Sequence, residues 1–377
     1  PGQSTLSWML RHPTIQSLVL GLITACSSPS VYPDEPSAPM EEVRIVPRRT
    51  PSGDYEFESH DAEQLFSRGT ALLQRGQCQA AVRYYDRLAK YFVASHYVAP
   101  ALYNAGLCLE RIRDFKGAIT RFEEFAKRFP EVPDARNARL HLLSLEVQLK
   151  AYDSALKRAE ALLVDQALSL EERIEAMAAR AQSLYGLGRF GEAERQALDT
   201  LSYYDSVQGE IHLGPLDAVA SANFLLAEVR QSRAALVSFN ATTRLEQHQA
   251  LERRANLILE AQREYLATIR RASPYWAVAA GYQIGRMYEA MWTELAAAPI
   301  PGDVPEKEHE VYRSELKEII RPLVQHAVRY WELTLRMVER TGVRSEWTDR
   351  VRRDLDRVRE RLMETAVPGM SENPSAE

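Results

Sequence analysis

Residues 101–130 read ALYNAGLCLERIRDFKGAITRFEEFAKRFP. Apolar side chains recur three and four apart on both sides of Arg113-Asp114, the signature of two amphipathic helices joined by a tight polar turn. Thirty-seven residues upstream the pattern repeats, with Gly69 for Gly106, Tyr85 for Phe122 and Leu88 for Phe125. Four alanines, Ala81, Ala118, Ala155 and Ala193, mark the same place in successive units, spaced 37, 37 and 38. A turn precedes each of them: Arg75-Gly76-Gln77, Arg113-Asp114, Lys150-Ala151 and Gly188-Arg189. An aromatic follows three of the four turns, at Phe115, Tyr152 and Phe190. One such pair cannot bury its apolar stripe alone, so the pairs are expected to stack into a curved solenoid. Where the two helices of a pair cross, Gly69 or Gly106 is expected to face Ala81 or Ala118. Aromatic side chains would then fill the grooves between pairs.

Ala101-Leu-Tyr-Asn-Ala-Gly-Leu-Cys108, Asp114-Phe-Lys-Gly-Ala-Ile119 and Arg121-Phe-Glu-Glu-Phe125 through Arg128-Phe-Pro130 resemble the tetratricopeptide repeat. The period above 34 and the endings Lys90-Tyr-Phe and Arg128-Phe-Pro resemble a BamD-like and YbgF-like subgroup of bacterial envelope lipoproteins. The likeness spans residues 62–205. The third unit departs from it, with Leu142 and Leu143 in place of the small residue of its first helix, and the fourth has Ala197 where an aromatic is expected. The resemblance implies an all-α fold, a tetratricopeptide-type helix-pair solenoid over 59–206, followed by a further helical module over 216–366. It also implies a non-catalytic scaffold that binds other proteins.

The beginning of the chain reads as an address. Ser17–Ala25 is apolar and uncharged but far shorter than the ~20 residues of a spanning helix, and Arg11 precedes it. Basic start, short apolar core and small-residue exit describe a secretory signal over 1–25. Leu22-Ile-Thr-Ala-Cys26 resembles a lipobox, which implies acylation of Cys26, a membrane attachment through lipid, and Ser27 as an outer-membrane sorting residue. The expected location is the outer membrane, facing the periplasm. Six prolines between 27 and 58, with few core-forming residues, predict a disordered tether from the lipidated Cys26 to residue 58. Residues 367–377 are expected to be a disordered tail.

Of the 377 residues, 45% are hydrophobic and 26% charged, with 47 basic against 52 acidic side chains and a net charge of −5. That balance argues against nucleic acid as a partner, since phosphate-tracking proteins present a basic face. The eight histidines are scattered, without HExxH or a cysteine pair nearby, so neither a metal nor another cofactor is expected. Gly186-Leu-Gly-Arg-Phe-Gly191 fits GxGxxG, but a helix precedes it where a dinucleotide site needs a strand, so it reads as a repeat turn. No catalytic residue or small-molecule substrate is expected. The alternative from another class is a peptidoglycan-remodelling enzyme or its direct activator. Cys78 and Cys108 fall at neighbouring helix ends in an up-down stack. Either a disulfide or two buried thiols fits them.

The first helix of each pair should line the concave wall. Phe66, Thr70, Leu73 and Gln74 then belong to the partner-binding groove, with Tyr103, Leu107, Glu110 and Arg111 from the second unit. Leu140 and Ser144 follow from the third, and Ala178, Gln182 and Tyr185 from the fourth. This mixture of aromatic and polar groups suits an extended peptide or a helix from another envelope protein, unless the chain's own C-terminal half covers it.

Beyond residue 215 the period is lost, but helical patterning continues over 217–238, 243–272, 274–298, 306–340 and 345–365. Pro274 suits a helix start, Pro322 is expected to kink or break its helix near Arg321, and Gly342 to end it, with Ser345 capping the next. Positions 276, 280, 284, 287, 291 and 295 form an apolar stripe, and Gly281 and Gly285 would admit a close neighbour. Trp276, Trp292, Trp331 and Trp347 read as core or as a docking surface.

Overall fold

The computed structural model describes residues 43–51, 53, 55–209 and 217–366. The signal, Cys26 and the 367–377 tail lie outside the described residues. Among them, an antiparallel hairpin of β1 (Arg44–Arg49) and β2 (Tyr55–His60) precedes thirteen α-helices. The first eight are α1 (Ala62–Gln74), α2 (Cys78–Tyr91), α3 (Val98–Arg111), α4 (Phe115–Arg128), α5 (Asp134–Gln148), α6 (Tyr152–Leu163), α7 (Leu170–Gly186) and α8 (Phe190–Val207). Five longer ones follow: α9 (Asp217–Ala235), α10 (Arg244–Arg270), α11 (Pro274–Ala296), α12 (His309–Thr341) and α13 (Glu346–Ala366).

The hairpin corrects the expected disordered tether over 26–58, which forms strands at 44–49 and from 55 onward. Tyr55-Glu-Phe-Glu-Ser-His60 alternates large and polar groups, as a strand does, and pairs in register from Arg44 opposite His60 to Arg49 opposite Tyr55. Pro47 is tolerated because a two-stranded sheet consists only of edges. Gly53, at φ +95°, turns the chain between the strands.

Each helix pair closes the same way. Gly76, Arg113, Lys150 and Gly188 all adopt positive φ, between 60° and 76°. Behind each, two backbone N–H groups return to the end of the first helix. The Arg113 and Asp114 amides donate to the Glu110 and Leu109 carbonyls, and the Gly188 and Arg189 amides to those of Tyr185 and Leu184. These paired bonds satisfy carbonyls that a helix end otherwise orphans. The GxGxxG stretch is one of these turns, between α7 and α8.

The alanines Ala81, Ala118, Ala155 and Ala193 are all fully buried, and what crowds the glycines most closely is a ring. A Cβ on Gly69 would lie 2.7 Å from the Tyr85 ring, and one on Gly106 2.7 Å from the Phe122 ring. The ring one turn beyond the alanine fills the space that the glycine leaves. This explains the two departures from the pattern. In the third unit large and small exchange helices, Leu143 opposing the equivalent Ala159, both buried in one cluster. In the fourth both positions are small, Ala181 and Ala197, and Leu225 and Leu226 of α9 complete their cluster.

That borrowed filling joins the expected second module to the first. α9 packs on α7 and α8, pairs with α10, and is followed by the pair α11–α12, with α13 packed against both. Residues 43–366 therefore belong to one unit in which helix pairs continue to stack. From α5 through α7, α9 and α11 to α13, each of these helices touches the next, so this part of the solenoid presents a continuous first-helix wall. Second helices are linked instead by side chains: Arg121 to Asp86 at 2.8 Å, and Arg128 to the Val93 carbonyl at 3.3 Å.

The C-terminal helices begin and end near the expected places. Ser273 caps α11 with Pro274 in its first turn, and Gly342 ends α12 at φ 69°. Helix α12 runs on through Pro322, so of the expected kink or break the break does not occur. The apolar stripe is core: Ala280, Ile284, Met287, Met291 and Leu295 are buried, and Trp276 is partly so. A Cβ on Gly285 would sit 2.2 Å from the Trp331 indole, which is fully buried and donates to the Tyr282 carbonyl at 3.0 Å.

Candidate functional site

At the 37-residue step, the predicted wall positions form rows along the first helices. Phe66, Tyr103, Leu140 and Ala178 make one row; Thr70, Leu107, Ser144 and Gln182 make the next. Gln74 and Arg111 begin a third, and Leu73, Glu110 and Tyr185 a fourth. The structure gives the members of these rows different jobs.

The aromatic row is seam packing. Phe66 stacks on Tyr97 with ring centroids 5.1 Å apart, and Tyr103 lies within 6.0 Å of the Phe122, Phe125 and His141 rings. Leu140 is half-buried against the Leu143 cluster, and Ala178 is buried. Thr70 is 3.3 Å from the Tyr85 hydroxyl, whose pKa burial raises. Glu110 pairs with His141 Nδ1 at 2.9 Å, tying the second unit to the third. What remains reachable is Gln74, Arg111 and Ser144, all exposed, beside half-buried Leu73 and Leu107.

In the fourth unit the wall is occupied by the chain itself. Gln182 donates to the Ser221 hydroxyl at 2.9 Å, and the Tyr185 hydroxyl reaches Glu228 at 3.5 Å. Glu228 is the group that sequence reasoning missed. It collects hydrogen bonds from the Tyr265 hydroxyl at 2.7 Å and the Gln283 amide at 2.6 Å, so four helices meet on one carboxylate. Burial raises its pKa, while the donors from Tyr265, Gln283 and Tyr185 pull it down. Burial, with Glu228 beside it, pushes the Tyr265 hydroxyl well above its ordinary value. The signal was a single acid in the apolar run Phe224-Leu-Leu-Ala-Glu-Val229.

Cys78 and Cys108 come together as the topology implied, and both are buried free thiols. Burial and the adjacent Cys78 push the Cys108 thiol up to about 12, which leaves it protonated and unreactive. Among the described residues no cluster of His, Cys, Asp or Glu could hold a metal ion, and no helix is long and apolar enough to cross a membrane.

The helix pair at the centre of this wall defines the class. Residues 100–131, which span most of α3 and all of α4, match the family model of the tetratricopeptide repeat. The chain thus carries a tetratricopeptide repeat within an all-α helix-pair solenoid. Among solved structures it is similar to MamA, residues 41 to the end, from Desulfovibrio magneticus RS-1, at 16% identity over 54% of this chain and 95% of that one, with a TM-score of 0.36. It is also similar to a tetratricopeptide repeat protein from Parabacteroides merdae ATCC 43184, at 14% identity, 77% and 97% coverage and a TM-score of 0.39. No curated protein matches the chain.

Proposed function

We propose that this protein is a non-catalytic scaffold of the bacterial envelope. On this reading it is anchored by a lipid on Cys26 in the outer membrane, faces the periplasm, and holds other envelope proteins along its first-helix wall. Its relationship is to the BamD-like and YbgF-like lipoproteins. Stiff stacked helices preorganise a surface, so a partner loses less ordering entropy on binding than it would on a flexible chain. The observation that carries the reading is the open part of the wall. Exposed Gln74, Arg111 and Ser144 flank half-buried Leu73 and Leu107 at repeat spacing, whereas the fourth unit is already filled by α9. Apolar anchors beside polar groups suit an extended peptide or a helix.

The test pairs two variants in the native membrane. Cys26→Ala should move the protein to the soluble fraction; unchanged fractionation rejects the anchor. Leu107→Asp with Ser144→Arg should lose the crosslinked partners identified by mass spectrometry while helicity by circular dichroism stays intact. An unchanged set of partners rejects the wall. Tyr103 is unsuitable for this purpose because its ring is part of the packing.

A further inference from the structure

The first unit of a solenoid has no predecessor to stack on, and its flank shows what replaces one. In the second unit, Arg121 and Arg128 of α4 reach back to Asp86 of α2 and to the Val93 carbonyl just beyond its end. Their equivalents one period earlier are Tyr84 and Tyr91 of α2. The hairpin takes the place of the missing helix, but it covers this flank incompletely. Between them lies a cleft of about 650 Å³, within the range of ligand-binding pockets.

Its lining is strongly one-signed. Among the described residues it includes Arg44 of β1 and Arg83 and Arg87 of α2, and no carboxylate. The Arg44 guanidinium lies 5.8 Å over the Tyr91 ring, and the Lys90 ammonium is 5.3 Å from the same ring. Asp86, the acid nearest in sequence to both Arg83 and Arg87, is committed to Arg121. The floor is apolar, from Leu65 and Phe92, both almost fully buried. In a chain with a net charge of −5, the exposed Arg83 and Arg87 beside an apolar floor form a local anion trap.

We propose that this cleft binds an extended acidic peptide segment of a partner protein. Arg83 and Arg87 are four residues apart on one helix face, about 6 Å along the axis. Alternate side chains of an extended strand lie about 6.6–6.8 Å apart, so carboxylates at positions i and i+2 match the two guanidiniums. The half-buried Tyr84 and Tyr91 rings border the segment on the same flank. A guanidinium fork takes carboxylates bidentately, which a lysine does not. The cleft lies on the second-helix flank of the first unit, and its occupation requires neither the lipid anchor nor the first-helix wall.

The full chain is titrated into a fluorescein-labelled Glu-Leu-Glu-Leu-Glu peptide, with binding read by fluorescence anisotropy at low ionic strength. Saturable binding at one peptide per chain is expected, weakened about tenfold by Arg83→Ala and by Arg87→Ala and partly retained in Arg87→Lys. Both arginines are exposed, so thermal melts of these variants should match the parent. Leu107→Asp, which tests the wall, should leave peptide binding unchanged. No saturable binding, or equal binding by the Arg83→Ala/Arg87→Ala double variant, overturns the proposal. So does binding of inorganic phosphate or of phosphatidylglycerol vesicles that needs these arginines while the peptide does not bind, since the site then serves a phosphate ligand.

Discussion

The early pairs and the late pairs close their seams with one device at two scales. In α1–α8 the helices are 12 to 18 residues long, and in the first two pairs a glycine of the first helix accepts a ring from the second, sixteen residues on. In α9–α13 they are 19 to 33 residues long, and Gly285 accepts the indole of Trp331, forty-six residues on. Lengthening the helices changes the sequence separation but not the contact, so stacking persists where the period disappears. The two regions differ in what fixes the ring. Tyr85 and Phe122 are held by packing, with one weak hydroxyl contact at Tyr85, whereas Trp331 is also pinned by its hydrogen bond to Tyr282.

The sharpest way to break this comparison is a single methyl group at each glycine. Gly285→Ala should cost about 3 kcal/mol or more, at the upper end of overpacking penalties, because an enclosed, hydrogen-bonded indole cannot retreat. Gly106→Ala should cost about 1–2 kcal/mol, the ring shift being partly offset by the higher helix propensity of alanine. Urea denaturation followed by circular dichroism measures both. Equal costs would show that the pinning of Trp331 adds nothing, and a neutral Gly285→Ala would mean that α11 and α12 do not approach this closely.

The same contrast explains what could be read from the sequence. Turns and buried alanines of the first four pairs were legible because they recur at a fixed step, and recurrence is visible without knowing the contacts. Gly69 and Gly106 read as close-approach points, but the Tyr85 and Phe122 rings that crowd them were not among their expected neighbours, since spacing alone does not say which residue comes nearest. The hairpin was missed because Pro47 and Pro51 weigh against order in composition, while the alternation of Tyr55–His60 is only six residues long. Glu228 was illegible for another reason: its partners Tyr185, Tyr265 and Gln283 come from three helices with no common period. In the wall, whether a given position packs or stays open depends on neighbours that the period does not encode.

Glu228 offers a second test of how the two regions are joined. Its pKa is raised in the folded state, so the fold binds more protons there than the unfolded chain does. Stability from this group is present at low pH and is lost as pH rises from the ordinary carboxyl range through the raised value. Glu228→Gln keeps an acceptor for Tyr265 and Gln283 but cannot ionise, so its melting temperature should stay flat across that window while the parent declines. Glu228→Ala leaves the Gln283 amide without this acceptor and Tyr265 with Gln231 alone, and should cost about 1–3 kcal/mol. Parallel pH profiles for the parent and Glu228→Gln would show that this carboxylate does not couple the fourth pair to the fifth.

The smallest effect concerns the turns, where the early pairs differ among themselves. Gly76 and Gly188 occupy the left-handed position without a side chain, whereas Arg113 and Lys150 hold it at φ 64° and 60°. A side chain there costs about 1–2 kcal/mol in backbone strain, but glycine loses more conformational freedom on folding, by about 0.5–1 kcal/mol. The two terms nearly cancel, so Arg113→Gly should stabilise by only about 0.5 kcal/mol. The reverse exchange, Gly188→Ala, should destabilise by a similar amount, as read from paired urea midpoints. If Arg113→Gly destabilises instead, the arginine side chain must contribute more at the turn than its exposed position indicates. The paired amide bonds behind the turn would then not be what sets its conformation.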